Sequence, residues 1–484
     1  MICIFFLDKY IVSNESGVIT SLEIRKEWRP TMNLIETIKE AGIVGAGGAG
    51  FPTHIKLNTK AEYFIVNAAE CEPLIETDKY LCRTFADELI KGIMIISKHL
   101  EASKSVIALK GKYKTEIAAL KAAIERNNAE IEIFEMRTFY PAGDEQIIVQ
   151  QVTGKSIPER GIPIEVGAVV DNVGTVIGVY EAVNNQKKVT NKYLSVVGEV
   201  AEPIMLKVAL GTSIRSCIQA AKPKLTDYAI ILGGPMMGRV ISDDSLIDQQ
   251  YVTKTTGNII VLPKDHYLIK RSKVTIDRIK HQTRSACIQC RMCTDLCPRF
   301  QIGHQIKPHL VMRNVWRENT IQTNEEFIKS FGDAANCCDC GLCEMFSCPM
   351  GLSPRRVNQY MKGKFREKGI MVDKNVNPVA RASVDVSKVP TDRLIARLNL
   401  GKYNGLHAHT CIELTPDEVF IPLAQHIGKP AISIKSTGDQ VYNGELIGRA
   451  DDTGLSTNIH ASVNGIIKEV TQTGIRITLN KTEE

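Results

Sequence analysis

A chain of 484 residues can bury several separate cores, so three or four domains are expected. Apolar residues make up 44% and charged residues 24%, as in ordinary soluble proteins, and no apolar run approaches the ~18 residues of a membrane span. The net charge of +6 is too small to argue for a nucleic-acid partner.

The start, "ICIFF", is shorter than the apolar core of a signal peptide and runs into Asp8 and Lys9. Residues 1–31 are polar and irregular and read as an extension or arm. From Met32 the pattern changes, with Leu34, Ile35, Ile38 and Ala41 at helical spacing and Gly42 as a helix stop. Then comes "VGAGGAGFPTH", in which Gly45, Gly47 and Gly50 satisfy the dinucleotide spacing G-x-G-x-x-G. A Rossmann turn closes a strand and opens a helix. Here a helix precedes the glycines and Phe51-Pro52 follows, so no helix is expected to open at once.

"AEYFIVNAAECEP" predicts a strand at 63–66 and a polar loop with Asn67, Glu70 and Glu72. "FYPAGDEQ" places Tyr140, Gly143, Asp144 and Glu145 ahead of an apolar segment with helical character. "GAVVDNVGTV" predicts a short strand ending at Asp171 and Asn172, followed by Gly174 and Thr175. Glycines admit a flat ring or a phosphate close to the backbone, and amide and acidic side chains can hold ring nitrogens and ribose hydroxyls. From 193 to 240 short strands alternate with one helical stretch, and "GGPMMG" reads as an inter-strand turn rather than a phosphate loop.

Lys270, Arg271, Lys273, Arg278, Lys280, Arg284 and Arg291 crowd the approach to the cysteines. They make either a solvated face or a rim for an acidic partner or anionic cofactor. With no export signal, fourteen cysteines point to metal chemistry in a reducing compartment rather than to disulfides. "CIQCRMCTDLCP" sets Cys287, Cys290, Cys293 and Cys297 at C-x2-C-x2-C-x3-C-P, the bacterial ferredoxin spacing for a [4Fe–4S] cluster. A zinc site takes two separated C-x2-C knuckles. A second run holds Cys337, Cys340, Cys343 and Cys348, its last gap longer by one residue. Cys338 competes there, but Cys337 keeps the spacing. In two-cluster ferredoxins the fourth cysteine of each run serves the other cluster. One set is then Cys287, Cys290, Cys293 and Cys348, and the other Cys337, Cys340, Cys343 and Cys297. Cys3, Cys82, Cys217 and Cys411 stand alone and read as buried or idle thiols, and His407 and His409 as part of a polar linker. The C-terminal stretch alternates short strands with glycines and reads as a small all-β unit.

"GAGGAGFPTHIK", "NAAECEP", "YPAGDEQ" and "VVDNVGTV" together resemble the FMN- and NADH-binding fold of the respiratory complex I flavoprotein subunit, and more closely the C subunit of the Rnf electron-transport complex. In that fold the glycine loop lies against FMN and NADH. The resemblance implies that Gly45, Gly47, Gly48 and Lys56 contact FMN, and that Asn67, Glu70, Gly143, Asp144 and Asn172 complete its pocket. It places Phe51 near the nicotinamide or adenine and gives Glu72 and Glu145 to the dinucleotide, with Gly50 and Tyr140 in the same cofactor-binding set. Ala46, Ala69 and Thr59 depart from the complex I pattern, at a basic, an acidic and an aromatic position. No side chain is assigned a chemical step of its own.

The segment after the flavin fold resembles a β-grasp-like SLBB domain, and the C-terminal unit a biotinyl-type barrel-sandwich hybrid. The hairpin of that hybrid reads Asp451-Asp452-Thr453-Gly454 and has no lysine to modify. The implied architecture is multidomain α/β and α+β: an FMN/NADH domain at 32–186, SLBB at 190–262, a helical two-cluster ferredoxin-like domain at 270–368, a linker at 369–410 and the barrel-sandwich at 411–484. In the Rnf C subunit the β-module comes first. Its place at the end here is similar to the cobalamin reductase family of propanediol-utilising bacterial microcompartments. That resemblance implies electron transfer from NADH through FMN and two [4Fe–4S] clusters to cob(II)alamin. It implies a corrinoid or a corrinoid-processing adenosyltransferase as partner, with shell or enzyme partners where the protein sits inside a cytoplasmic microcompartment. The alternatives are a peripheral C subunit of an Rnf-type membrane complex and a non-catalytic iron–sulfur scaffold.

Overall fold

The computed structural model describes residues 33–408 and 410–479. The expected arm at 1–31, Met32, Cys3 and His409 lie outside the described residues. The helix Leu34–Ala41 opens on a capping box between Asn33 and Glu36 and ends at Gly42 with φ of 71°.

The first unit holds a four-stranded parallel sheet, in the order Glu132–Met136, Lys104–Lys110, Tyr63–Asn67, Ala168–Asn172. Its inner strand Tyr63–Asn67 is apolar on both faces because helices cover both. Phe64 and Val66 face a core with Leu89, Ile93 and Val176 of the helices Ala86–Leu100 and Val173–Asn185. Ile65, alternating with them, faces Ile147 and Ile148 of the helix Glu145–Thr153.

The second unit is a sheet around the helix Ile214–Ala220, in which Asn191–Gly198 lies between Ile204–Ala209 and Asn258–Leu262. Its edge strand comes from farther along the chain. Thr410–Leu414 pairs parallel with Ile204–Ala209, so the first strand of the segment expected to be barrel-sandwich completes this sheet instead.

The cysteine-bearing unit is helical, and Phe327 packs at 5.0 Å from both Phe331 and Phe365 in its core. From Val389 onward the segment expected as a linker is a packed strap. Val389–Pro390 pairs with Phe139–Tyr140, and Leu394, Ile395, Leu398 and Leu400 are buried. The helical spacing of these apolar residues is the reason, since leaving them in water would cost more than ordering the chain.

The C-terminal unit is antiparallel, with Glu418–Pro422, Gly474–Leu479 and Gly465–Val470 over a core of Val419, Ile421, Ile447 and Ile475. Buried Lys254 joins three units. Its ammonium donates to Gly42 O at 2.6 Å and Asn458 O at 2.7 Å, and burial pushes it down to about 7. Among the described residues no helix is long and apolar enough to cross a membrane.

Candidate functional site

The carboxyl ends of Tyr63–Asn67 and Ala168–Asn172 lie side by side, with Asn67 opposite Asn172 in register. Helices reach these two strands from opposite faces of the sheet, which makes the gap between them a switch in winding. Open α/β sheets take ligands at such points. A cavity of about 1820 Å³ opens there.

Its wall is made of backbone and short polar groups. Gly47, Gly48, Asn67, Glu70, Glu72, Gly143 and Asn172 all line it. Asn67 donates to Gly143 O at 2.9 Å. Asn172 caps the helix Val173–Asn185 by accepting from Gly174 N, and donates to Asp78 at 2.9 Å. Ala46 N donates to Thr175 Oγ1 at 2.9 Å, which ties the glycine loop to the same helix start. A one-turn helix, Thr53–Lys56, does open straight after Pro52, contrary to expectation, because proline is well tolerated at a helix start. It is too short to be a Rossmann helix.

Burial sets the charges of this wall. It pushes the Glu70 carboxyl up to about 8, against the pull of Lys79, and Asp78 up to about 6, against the Asn172 bond and Lys192. The Lys192 ammonium enters the cavity from the second unit and is pushed down to about 8 by burial, with Asp78 opposing. Cys71, on the same wall, is pushed up to about 12 by burial. Asp78, Lys192 and Cys71 escaped sequence reasoning. The one available signal was a lysine inside the strand Asn191–Gly198, next to the apolar run that starts at Tyr193.

The other expected cofactor residues lie off the cavity wall. Gly45 N bonds Phe51 O across the loop at 2.9 Å. Gly50 packs under the C-terminal unit, where an added Cβ would stand 3.1 Å from His426 Cα. Lys56 pairs with Glu145 at 2.9 Å and Asp171 at 3.5 Å. Burial opposes its charge, but these two carboxylates outweigh it and raise the ammonium. Asp144 pairs with Arg299. Tyr140 is buried and donates its hydroxyl to Cys340 O at 2.6 Å. Glu72 reaches across the cavity, where its carboxylate accepts from Met236 N at 2.9 Å and Met237 N at 3.0 Å. Those amides belong to "GGPMMG", which is a turn between Ala229–Leu232 and Arg239–Ile241.

The cysteines approach one another across their two runs. Burial pushes the Cys293 thiol up to about 12, and the nearby thiols of Cys348, Cys287, Cys290 and Cys297 add to the shift. Cys340 is raised by its bond to the Cys338 thiol, then by burial, and then by Cys338, Cys297 and Cys343. Cys338 thus stands within the second group, beside Arg299. Among the described residues no three or more His, Cys, Asp or Glu gather as ligands of one ion would. Cubane thiolates bind different irons and stand wider apart.

The basic run divides in two. Arg271 turns inward to Leu352 O at 2.8 Å and Gly351 O at 3.0 Å, and Lys280 to Glu318 at 2.7 Å. Lys270, Lys273, Arg278, Arg284 and Arg291 are exposed. Cys82 and Cys217 are buried, Cys411 is half-buried, and His407 bonds Glu76 at 2.9 Å.

Residues 38–181 match the family described as the Nuo51 FMN-binding domain, 286–353 the 4Fe-4S dicluster domain, and 407–481 the RnfC barrel sandwich hybrid domain. The chain therefore combines an FMN-binding domain with a dicluster domain, as an electron-transfer protein does. It is 37% identical over 443 residues to the cobalamin reductase PduS of Citrobacter freundii, covering 91% of this chain and 95% of that one. Identity and coverage are the same for PduS of Salmonella typhimurium strain LT2. The C subunit of the proton-translocating ferredoxin:NAD(+) oxidoreductase complex of Clostridium ljungdahlii is 32% identical over 271 residues, 55% of each chain.

Proposed function

This chain belongs to the family of the cobalamin reductase PduS, and on that premise we propose that it is an NADH-dependent reductase of cob(II)alamin. One NADH reduces two cob(II)alamin to two cob(I)alamin and leaves NAD+ and one proton. FMN supplies the exchange between a hydride and single electrons, and two [4Fe–4S] clusters supply one-electron carriage.

The observation that carries the reading is the size and make-up of the cavity. At about 1820 Å³ it exceeds the roughly 300–1,000 Å³ of a single-ligand pocket, which suits a flavin with a dinucleotide beside it. Gly47, Gly48, Asn67, Glu70, Gly143 and Asn172 would hold the flavin. An added Cβ at Gly48 would meet nothing within 4 Å, so the loop presents bare backbone to a ring. The start of Val173–Asn185 and the Lys192 ammonium favour a phosphate. Burial raises the Glu70 carboxyl in the same wall, against the pull of Lys79. The dinucleotide would enter between this wall and the turn at 233–238. The exposed Lys270, Lys273, Arg278, Arg284 and Arg291 offer an acidic partner or a corrinoid phosphate a docking face. A microcompartment setting with a corrinoid-processing adenosyltransferase goes with this reading.

The test is anaerobic, NADH-dependent formation of cob(I)alamin, trapped by an adenosyltransferase with ATP. Trapped adenosylcobalamin in proportion to NADH is the expected result. Brisk dye reduction with no cob(I)alamin would return the protein to the Rnf-type reading.

A further inference from the structure

We propose that electrons leaving the cavity enter the second cysteine set, Cys297, Cys337, Cys340 and Cys343, before the first, and leave the chain at the Cys290 edge. The proposal rests on the flavin iron–sulfur reading above and adds a direction to it.

The loop at 139–144 carries the argument. Gly143 lines the cavity, and its carbonyl accepts from Asn67 at 2.9 Å. Three residues earlier, buried Tyr140 donates to the carbonyl of Cys340 at 2.6 Å. One residue later, Asp144 holds Arg299 with both carboxylate oxygens, one of them at 3.0 Å, and Arg299 follows Cys297 by two residues. A single short loop thus touches the cavity on one side and, on the other, Cys340 and the arginine two residues past Cys297 of the same set. Tyr140 also shares a continuous apolar core with Cys340, Leu342 and Met345. Electron transfer weakens steeply with distance and favours bonded, well-packed paths, and this loop supplies one through buried Tyr140.

The first set is built differently. Its hydrogen bonds stay within the cysteine unit: Gln289 Nε2 donates to Cys287 Sγ at 3.1 Å and Leu352 N to Cys348 Sγ at 3.4 Å. Cys290 is exposed, and its neighbours Ile288 and Met292 are 61% and 43% exposed. A site open to solvent and flanked by apolar side chains and Arg291 suits contact with an acceptor, not receipt of electrons from the cavity. The two electrons of each NADH pass singly by this route to two cob(II)alamin, and the proton goes to solvent.

The order is tested on the full chain, prepared anaerobically with both cofactors, as Cys290→Ala and Cys340→Ala. The flavin is reduced by light with EDTA, so no pyridine nucleotide is needed, and the remaining cluster is followed by EPR. In Cys290→Ala the second cluster should give its signal on illumination. In Cys340→Ala the light-induced signal of the first cluster should be lost, while dithionite still produces it. A first-cluster signal on illumination of Cys340→Ala would overturn the order. If that variant loses all its iron, Tyr140→Phe decides. It should keep FMN, iron and the dithionite signals yet slow the light-induced ones, and an unchanged rate would overturn the proposal. NADH run alongside separates the two readings: failure with NADH and success with light strikes the donor proposed above and leaves the order standing.

Discussion

The glycine loop at 44–51 and the glycine turn at 233–238 border the same cavity, and they differ in what fills their inner faces. At Gly48, with φ of 122°, an added Cβ would meet nothing within 4 Å, and at Gly47 it would touch only Asn172, at 3.4 Å. At Gly234 it would fall 2.3 Å from the Glu72 carboxylate, which is held by Met236 N and Met237 N. Both loops use bare backbone to approach something closely. The first leaves room for a ligand, and the second is already closed on the protein's own anion. A glycine run announces a close approach, and only the fold says of what.

The sharpest way to break this contrast is Gly47→Val. The branched side chain would press on Asn172 and fill the open cradle. FMN should be lost from the purified protein while most of the iron stays, as flavin absorbance and iron content would report. Unchanged FMN would reduce the loop to a simple turn. Next in size is Gly234→Ala on the closed side. The methyl group should expel the Glu72 carboxylate from its two amides at a cost of about 2 kcal/mol, read as a lower midpoint in denaturant. A stability equal to the parent would mean that the clasp contributes nothing.

The smallest effect concerns the charge of that clasp. Burial pushes the Glu72 carboxyl from its ordinary 4.5 up to about 7, although the Met236 and Met237 amides and Arg355 pull it down. Between these values the folded chain binds the proton more tightly than the unfolded one. The stability from this group is therefore full below 4.5 and fades as pH rises through 7. From pH 5 to pH 8 the parent should lose stability relative to Glu72→Gln, because only the parent carries a carboxyl that must give up its proton in the folded state. Parallel pH profiles for the two proteins would show that the carboxylate is not buried in solution.

Much of the fold was legible because its signals are local. The helix ending at Gly42, the strand before Asn67, the strand ending at Asn172 and the helix after Asp144 appear where periodicity and caps put them. The site was legible only in part. Asn67, Glu70, Gly143 and Asn172 do meet at one cavity. Asp144 and Tyr140 sit in the same motif yet point to the cysteine unit, and Lys192 comes from another unit altogether. Side-chain direction and long-range contact leave no period to read.

By itself the sequence determined the chemistry within reach. Two compact cysteine runs can place thiolates on cubane irons from short loops, and that spacing is written in the chain. Glycines at 45, 47, 48 and 50 likewise declare that backbone must come close to something. The tertiary structure alone decided which partner each group meets. It closed the turn at 233–238 on Glu72, turned Arg271 inward, and packed the supposed linker against Tyr140 and Cys340. The physical reason is burial: desolvation costs and close packing depend on neighbours far apart in sequence, so they exist only once the units have folded together.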